Sequence, residues 1–191
     1  FTTEHIHKQM PLIENWCRLY NLEYNGEMPE IRLNKRQQQF GVSKWMREKP
    51  IMVIQTNGGP FEEQPYPDYH IFQVCRNKSQ IIPDTEPVIE PMSNMELFCL
   101  LGISQKRLLI DSCLQHAAYA FNLPSTVAWV GTSPSIFGYS LHNNITADIP
   151  EGVKLIDSYL FDFNFTGTLY ECPFINEQIF DSNDFINSLE Q

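Results

Sequence analysis

A chain of 191 residues with 42% hydrophobic and 13% aromatic side chains can bury one sizeable core, or one and a small extension. Its net charge of -10, with 13 Lys and Arg scattered along it, leaves no basic stripe to track a nucleic-acid backbone, so no nucleic acid partner is expected; nor is there a run of about 18 apolar residues to make a membrane span. The cysteines, Cys17, Cys75, Cys99, Cys113 and Cys172, are odd in number, widely spaced and without a Cys-x-x-Cys pair, which argues against a disulfide framework or a zinc site and for a reducing cytoplasm.

The chain begins at Phe1 rather than Met, and the expectation is a piece of something longer. Ile6, Met10, Ile13, Cys17 and Tyr20 fall at helical spacing and predict a first helix, closed by Gly26 and Pro29. A second helix is predicted over 35–47, with Phe40, Lys44 and Arg47 a turn apart and Gly41 inside it. Both read most simply as packing faces. Residues 51–54 are a buried strand running into Gln55-Thr56-Asn57-Gly58-Gly59. Glycine lets backbone amides approach a ligand, so Thr56 and Asn57 are candidate phosphate contacts; an ordinary turn is the alternative.

Residues 70–75 form the next predicted strand. The segment before it holds Pro60, Pro65 and Pro67 and is short for a parallel crossover with a helix. Either the two strands are not a standard pair, or residues are absent near Pro67-Asp68; the second is the expectation. Arg76, Asn77 and Lys78 make a solvated turn or touch ribose or phosphate. Ser93 with Glu96 fits a capping box before a helix over 94–101, whose apolar residues are Met95, Leu97, Phe98, Leu100 and Leu101.

The stretch 108–139 organises the rest. Leu108, Leu109 and Ile110 form a buried strand, and Asp111-Ser112 ends it with Ser112 as a helix N-cap. Leu114, Ala117, Ala118 and Phe121 give that helix one apolar face, and Asn122 and Pro124 end it. Residues 126–130 are a second buried strand, and Gly131-Thr132-Ser133-Pro134 opens a loop at its C-terminal end. Ligands of open α/β sheets sit outside the carboxyl ends of the strands. Here those ends carry Asp111 and Ser112 on one strand and Gly131, Thr132 and Ser133 on the other. The free amides at the helix start suit a phosphate or diphosphate. His116, one turn after Ser112, falls on the same face. A lone histidine on a helix is usually structural; the polar residues converging beside this one favour a ligand role. Asp111 is a plain cap, or holds the first-turn loop or a sugar hydroxyl. Beyond it, residues 140–150 read as a polar loop, 154–156 and 159–165 as strands, and 181–189 as a final helix with Ser182 as its cap.

Asp111-Ser112-x-x-x-His116, Ala117-Ala118, Gly131-Thr132-x-Pro134 and Gly138-Tyr139 together resemble the donor-binding signature of glycosyltransferase family 9, the ADP-heptose lipopolysaccharide heptosyltransferase family. Cys113 stands where that family has glycine, Gly131-Thr132 lacks an intervening residue, and the family's Lys or Arg after the first-strand turn is missing. The resemblance implies an α/β fold, a Rossmann-like parallel sheet flanked by helices that is the C-terminal half of a GT-B fold. Residues 1–48 would be a helical lead-in from an N-terminal domain, and 49–191 a Rossmann-like nucleotide-sugar-binding domain.

It also implies a glycosyltransferase moving a hexosyl or heptosyl group from a nucleotide diphosphate sugar to a glycan or lipid-linked, lipopolysaccharide-type acceptor. The donor-binding residues would be Thr56, Asn57, Met92, Asp111, Ser112, Cys113, His116, Gly131 and Thr132, with Met92 against the base. The general base, an aspartate, would lie in an N-terminal acceptor domain of the same protein, so no catalytic residue is expected in this chain. No metal or other cofactor is expected if protein groups supply the positive charge. The expected setting is the cytoplasm, with a peripheral place at the inner membrane face as a further option. The alternative is a non-catalytic nucleotide-binding Rossmann module, which Cys113 and the missing basic residue favour. A Cys113–His116 thiol–imidazole pair lacks an orienting third group, and a glycoside hydrolase lacks a carboxylate pair placed by any motif.

Overall fold

Apolar runs too short for helices become strands when both faces can be covered, and 51–54 and 108–109 do so here, while Ile110, expected to be buried with them, is exposed at the strand end. The computed structural model describes residues 11–55, 66–75, 78, 81–89, 92–130, 132–149 and 179–190. In chain order the elements are α1 (Leu12–Leu19), α2 (Lys35–Trp45), β1 (Ile51–Ile54), β2 (His70–Val74), β3 (Glu86–Val88), α3 (Asn94–Ile103), β4 (Lys106–Ile110), α4 (Cys113–Ala120), β5 (Thr126–Trp129), α5 (Pro134–Phe137), β6 (Asn143–Thr146) and α6 (Ser182–Glu190). The strands form one six-stranded sheet in the order β3-β2-β1-β4-β5-β6. Every neighbouring pair is parallel. This is the Rossmann order, in which the winding reverses between β1 and β4. The expected α/β architecture, a Rossmann-like parallel sheet flanked by helices, is what the chain adopts.

Burial on both faces explains the unbroken hydrophobic runs. Ile51, Val53, Leu109, Val127 and Trp129 point to one side, against Trp45, Leu100, Leu101, Leu114, Ala117 and Ala118 of the helices. Met52, Ile54 and Leu108 point to the other, against Phe185 and Leu189 of α6. The period of two along each strand sorts neighbouring residues to opposite sides. In β4, Arg107 is 6% exposed. Its guanidinium donates to the carbonyls of Pro124, Ser104 and Gln105 and to Ser104 Oγ. It thereby ties the end of α3 to the turn before β5. Burial pushes its pKa down to about 10, which still leaves it charged at neutral pH.

Local chemistry sets the helix ends. Ser93 and Glu96 form the expected capping box, and Asn34 with Gln37 forms another at α2. Ser112 Oγ accepts from the Leu114 N–H, as an N-cap should. Asn122 ends α4 in the left-handed region at φ 56, with the Leu123 N–H donating to Ala118 and the Asn122 N–H to Tyr119. Gly41 is required by close approach: a Cβ there would lie 3.2 Å from both Cβ and the carbonyl oxygen of Cys99 on α3.

Several sequence expectations are corrected. Of the stripe expected in the first helix, Ile6 and Met10 lie outside the described residues, Cys17 is half-buried, and Ile13 in α1 and Tyr20 just after it are 41% and 75% exposed, while Asn15 is buried. Phe40 and Met95 are likewise exposed. The polar loop expected at 140–150 contains β6, an edge strand that Asn143 and Asn144 disguise because asparagine is scarce in strands. The last helix is capped by Asp181, whose carboxylate accepts from the Asn183 N–H, and not by Ser182. β1 and β2 are parallel neighbours. The strands read at 154–156 and 159–165, with Arg76 and Asn77, lie outside the described residues. Among those described, no helix is long and apolar enough to cross a membrane.

Candidate functional site

β1 and β4 end side by side, with Ile54 opposite Leu108 and the Gln55 N–H donating to the Leu108 carbonyl at 2.9 Å. The winding of the sheet reverses between these two strands, and open α/β sheets take their ligands in the crevice outside the carboxyl ends at such a point. Two side chains link the strand ends here: Ser112 Oγ donates to Gln55 Oε1 at 2.6 Å. On the other side of β4, Thr132 Oγ1 donates to Asp111 Oδ2 at 2.5 Å, joining the exits of β4 and β5. The start of α4 thus sits in a polar ring of Gln55, Asp111, Ser112 and Thr132. Its first amides have no partner within the helix and carry the positive end of its dipole.

One turn on, His116 Nδ1 lies 2.8 Å from Tyr139 Oη, and the two rings meet edge to face. Tyr139 is stacked flat on Tyr119, with centroids 3.7 Å apart and planes 7° from parallel. Gln115 is fully buried and donates to the Phe137 carbonyl at 3.1 Å. His142, also buried, donates through Nε2 to the Gln115 carbonyl at 3.0 Å. Behind these, Trp129 Nε1 donates to Asn144 Oδ1, and Asn144 donates to the carbonyls of Tyr139 and His142. His116, Tyr119 and Tyr139 form one wall of a cleft of about 770 Å³, faced by Trp16 and Tyr24.

Burial lowers the pKa of His116, with the Asp111 charge opposing it in part. Burial also lowers that of His142, against the hydrogen bond to the Gln115 carbonyl. Burial raises that of the Tyr139 hydroxyl. Both imidazoles therefore stay neutral to lower pH in the folded chain than in the unfolded one, where the ordinary midpoint is about pH 6.5. As pH falls through that value the unfolded chain binds more protons, so stability must fall with it. Urea midpoints are expected to decline below about pH 6.5, and to decline less in His142→Gln, which keeps a donor for Gln115 but no titrating group. Equal declines in the two proteins would remove His142 from that account.

Of the residues singled out in the sequence, Asp111 and Thr132 bond to each other beside the start of α4, Ser112 caps that helix and bonds to Gln55, and His116 stands one turn on, within the field of Asp111 and against Tyr139. Cys113 is exposed at the first position of that helix. Met92 is half-buried and packs against the apolar cluster of the helices. Thr56, Asn57 and Gly131 lie outside the described residues. Sequence reasoning missed Gln55, Gln115 and Tyr119. The first has a usable signal, since it follows a buried strand by one residue; the other two lie on a helix whose apolar stripe drew attention elsewhere. Among the described residues, no group of three His, Cys, Asp or Glu side chains is placed to hold a metal ion.

No protein-family model and no curated protein matches the chain. Among solved structures it is similar to the glycosyl transferase family 9 protein from Veillonella parvula DSM 2008, with a TM-score of 0.58 and 11% identity over 92% of this chain and 57% of that one. It is also similar to E. coli ADP-heptose lps heptosyltransferase II, with a TM-score of 0.52 and 13% identity over 75% of this chain and 54% of that one. The chain spans little more than half the length of either. At these identities the likeness is one of fold: the resemblance to glycosyltransferase family 9 carried by residues 111–139 recurs in three dimensions as a shared Rossmann-like architecture.

Proposed function

We propose that this chain is the donor-binding part of a glycosyltransferase and takes a nucleotide diphosphate sugar at the crevice between β1 and β4. The observation that carries this reading is the polar cluster at the start of α4, Ser112 bonded to Gln55 on the side where the sheet reverses its winding and Asp111 bonded to Thr132 on the other, with His116 one turn on. When the bond from the sugar's anomeric carbon to the diphosphate breaks, its electron pair stays with the diphosphate oxygen. Donors fixed in advance around that oxygen stabilise the growing charge without reorganising. The free first-turn amides of α4 and a neutral imidazole N–H are such donors, while the Thr132 hydroxyl proton goes to Asp111. Asp111 keeps the Thr132 loop in reach. Because these groups meet the charge themselves, the reading calls for no metal and no cofactor beyond the donor.

The acceptor, a glycan or lipid-linked acceptor of lipopolysaccharide type, would be held by an N-terminal domain that supplies the aspartate base. The group moved would be a heptose or hexose, at the cytoplasmic face of the membrane. Titration calorimetry of nucleotide diphosphate sugars with EDTA present tests the donor site. His116→Ala is expected to weaken binding about tenfold, the loss of a hydrogen bond to a charged group, with the urea midpoint nearly unchanged. Unchanged affinity would remove His116 from the site.

One observation favours a second reading, a module that binds nucleotide without transfer. Cys113 puts an exposed side chain at the first position of α4, where the backbone must come closest to a phosphate. Donor binding by the full-length protein without sugar transfer would select it.

A further inference from the structure

The geometry points to Tyr139 as a positioning residue: its hydroxyl donates to Nδ1 of His116 and so fixes the imidazole as an Nε2–H donor. The assignment rests on the diphosphate reading of the site for its purpose, and on contacts within the chain for its mechanism.

A neutral imidazole carries one proton, and the hydrogen bond made by one nitrogen decides which nitrogen has it. Nδ1 of His116 has an in-line partner in Tyr139 Oη at 2.8 Å. Gln115 Nε2 lies 3.2 Å from both ring nitrogens. Equal distances place it over the face of the ring, since an equidistant point in the plane would collide with ring carbon. It therefore competes for neither lone pair. Its amide nitrogen is pinned in that place by the Phe137 carbonyl. Among the described residues, nothing stands in line with Nε2. With Nδ1 accepting from the phenol, the proton belongs on Nε2, and that nitrogen is left for a ligand oxygen.

Tyr139 is itself held. It is stacked on Tyr119, its edge meets His142, and its carbonyl accepts from Asn144 Nδ2. The turn before it has no slack, because a Cβ on Gly138 would lie 2.6 Å from the Pro134 carbonyl oxygen. A positioning residue that must hold a ring to within a fraction of an ångström needs this kind of support, because its effect is entirely geometric. The phenol is also a better donor than acceptor for a neutral ring. The alternative, Nδ1–H donating to Oη, would leave Nε2 bare and repel a phosphate oxygen.

Nitrogen-15 NMR of the histidine rings in the full-length, ligand-free protein tests the assignment without any donor sugar. The expected result is His116 protonated on Nε2 at neutral pH, and a shift toward mixed tautomers in Tyr139→Phe, which keeps the stack on Tyr119 and loses only the hydroxyl. Protonation on Nδ1 in the unaltered protein, or a tautomer indifferent to Tyr139→Phe, overturns it. A nucleoside diphosphate titration then reads the consequence. Tyr139→Phe should weaken binding about three- to tenfold, and should have no further effect once His116 is alanine. Equal losses in the two backgrounds would show that Tyr139 does not act through His116. If the unaltered protein gives the Nε2–H tautomer yet binds no nucleoside diphosphate, the donor-site reading fails while the tautomer assignment stands.

Discussion

Trp129→Ala is expected to destabilise the fold by about 3–5 kcal/mol, the range for deleting a large aromatic from a packed interior. Trp129 has no exposed surface and stands at the C-terminal end of β5, against the apolar side chains of the helices. Its loss also removes the donor to Asn144, whose amide in turn holds the carbonyls of Tyr139 and His142. The variant therefore empties the interior and releases the loop that carries Tyr139. Trp129→Phe separates the two, because it fills most of the space and removes the indole N–H. It is expected to cost about 1 kcal/mol, the loss of one hydrogen bond to a half-buried acceptor. Urea unfolding followed by circular dichroism measures both. A loss below about 1 kcal/mol in Trp129→Ala would mean that the indole is not close-packed.

Arg107→Met ranks next, at about 2–4 kcal/mol. Methionine approximates the volume of the arginine stem, so the cost is not mainly a cavity. It comes from the carbonyls of Ser104, Gln105 and Pro124, which lose a charged donor in a place water does not reach freely. Among the described residues its acceptors are carbonyls and the Ser104 hydroxyl, not a carboxylate, so the guanidinium acts as a fork-shaped donor to the chain itself, for which its fixed planar geometry is suited. Arg107→Lys is expected to recover less than half of the loss, because a single ammonium cannot reach carbonyls on both sides of the strand. Recovery of nearly all of it would show that charge, and not the fork, matters.

The elements that the sequence revealed are those whose burial is two-sided. Ile51 to Ile54 and Leu108 to Leu109 are apolar at every position because helices cover both faces. The start of α4 was readable for a different reason, since an N-cap serine after a buried run has few other uses. What stayed hidden depends on contacts between distant segments. Nothing local marks Asn144 as a strand residue; it is held there by Trp129 and by pairing with β5. Nothing local turns α1 so that Asn15 faces inward and Ile13 outward. The partnership of Ser112 with Gln55 is of the same kind. Spacing drew attention to Asp111, Ser112 and His116, which lie within two turns of one another in the chain, whereas Gln55, the partner of Ser112 from another strand, was not singled out.

The bond between Ser112 and Gln55 joins positions 57 residues apart in the chain. The crevice they span cannot exist in any half-assembled intermediate, because its two lips belong to the separately wound halves of the sheet. Pairing of β1 with β4 is a non-local event, and such events are slow and come late in folding. A nucleotide that occupies the crevice would recognise only chains that have completed this last docking, and by mass action would draw the population toward them. Under the proposed reading, refolding in the presence of a nucleotide diphosphate sugar would then yield more of the finished fold than refolding without it.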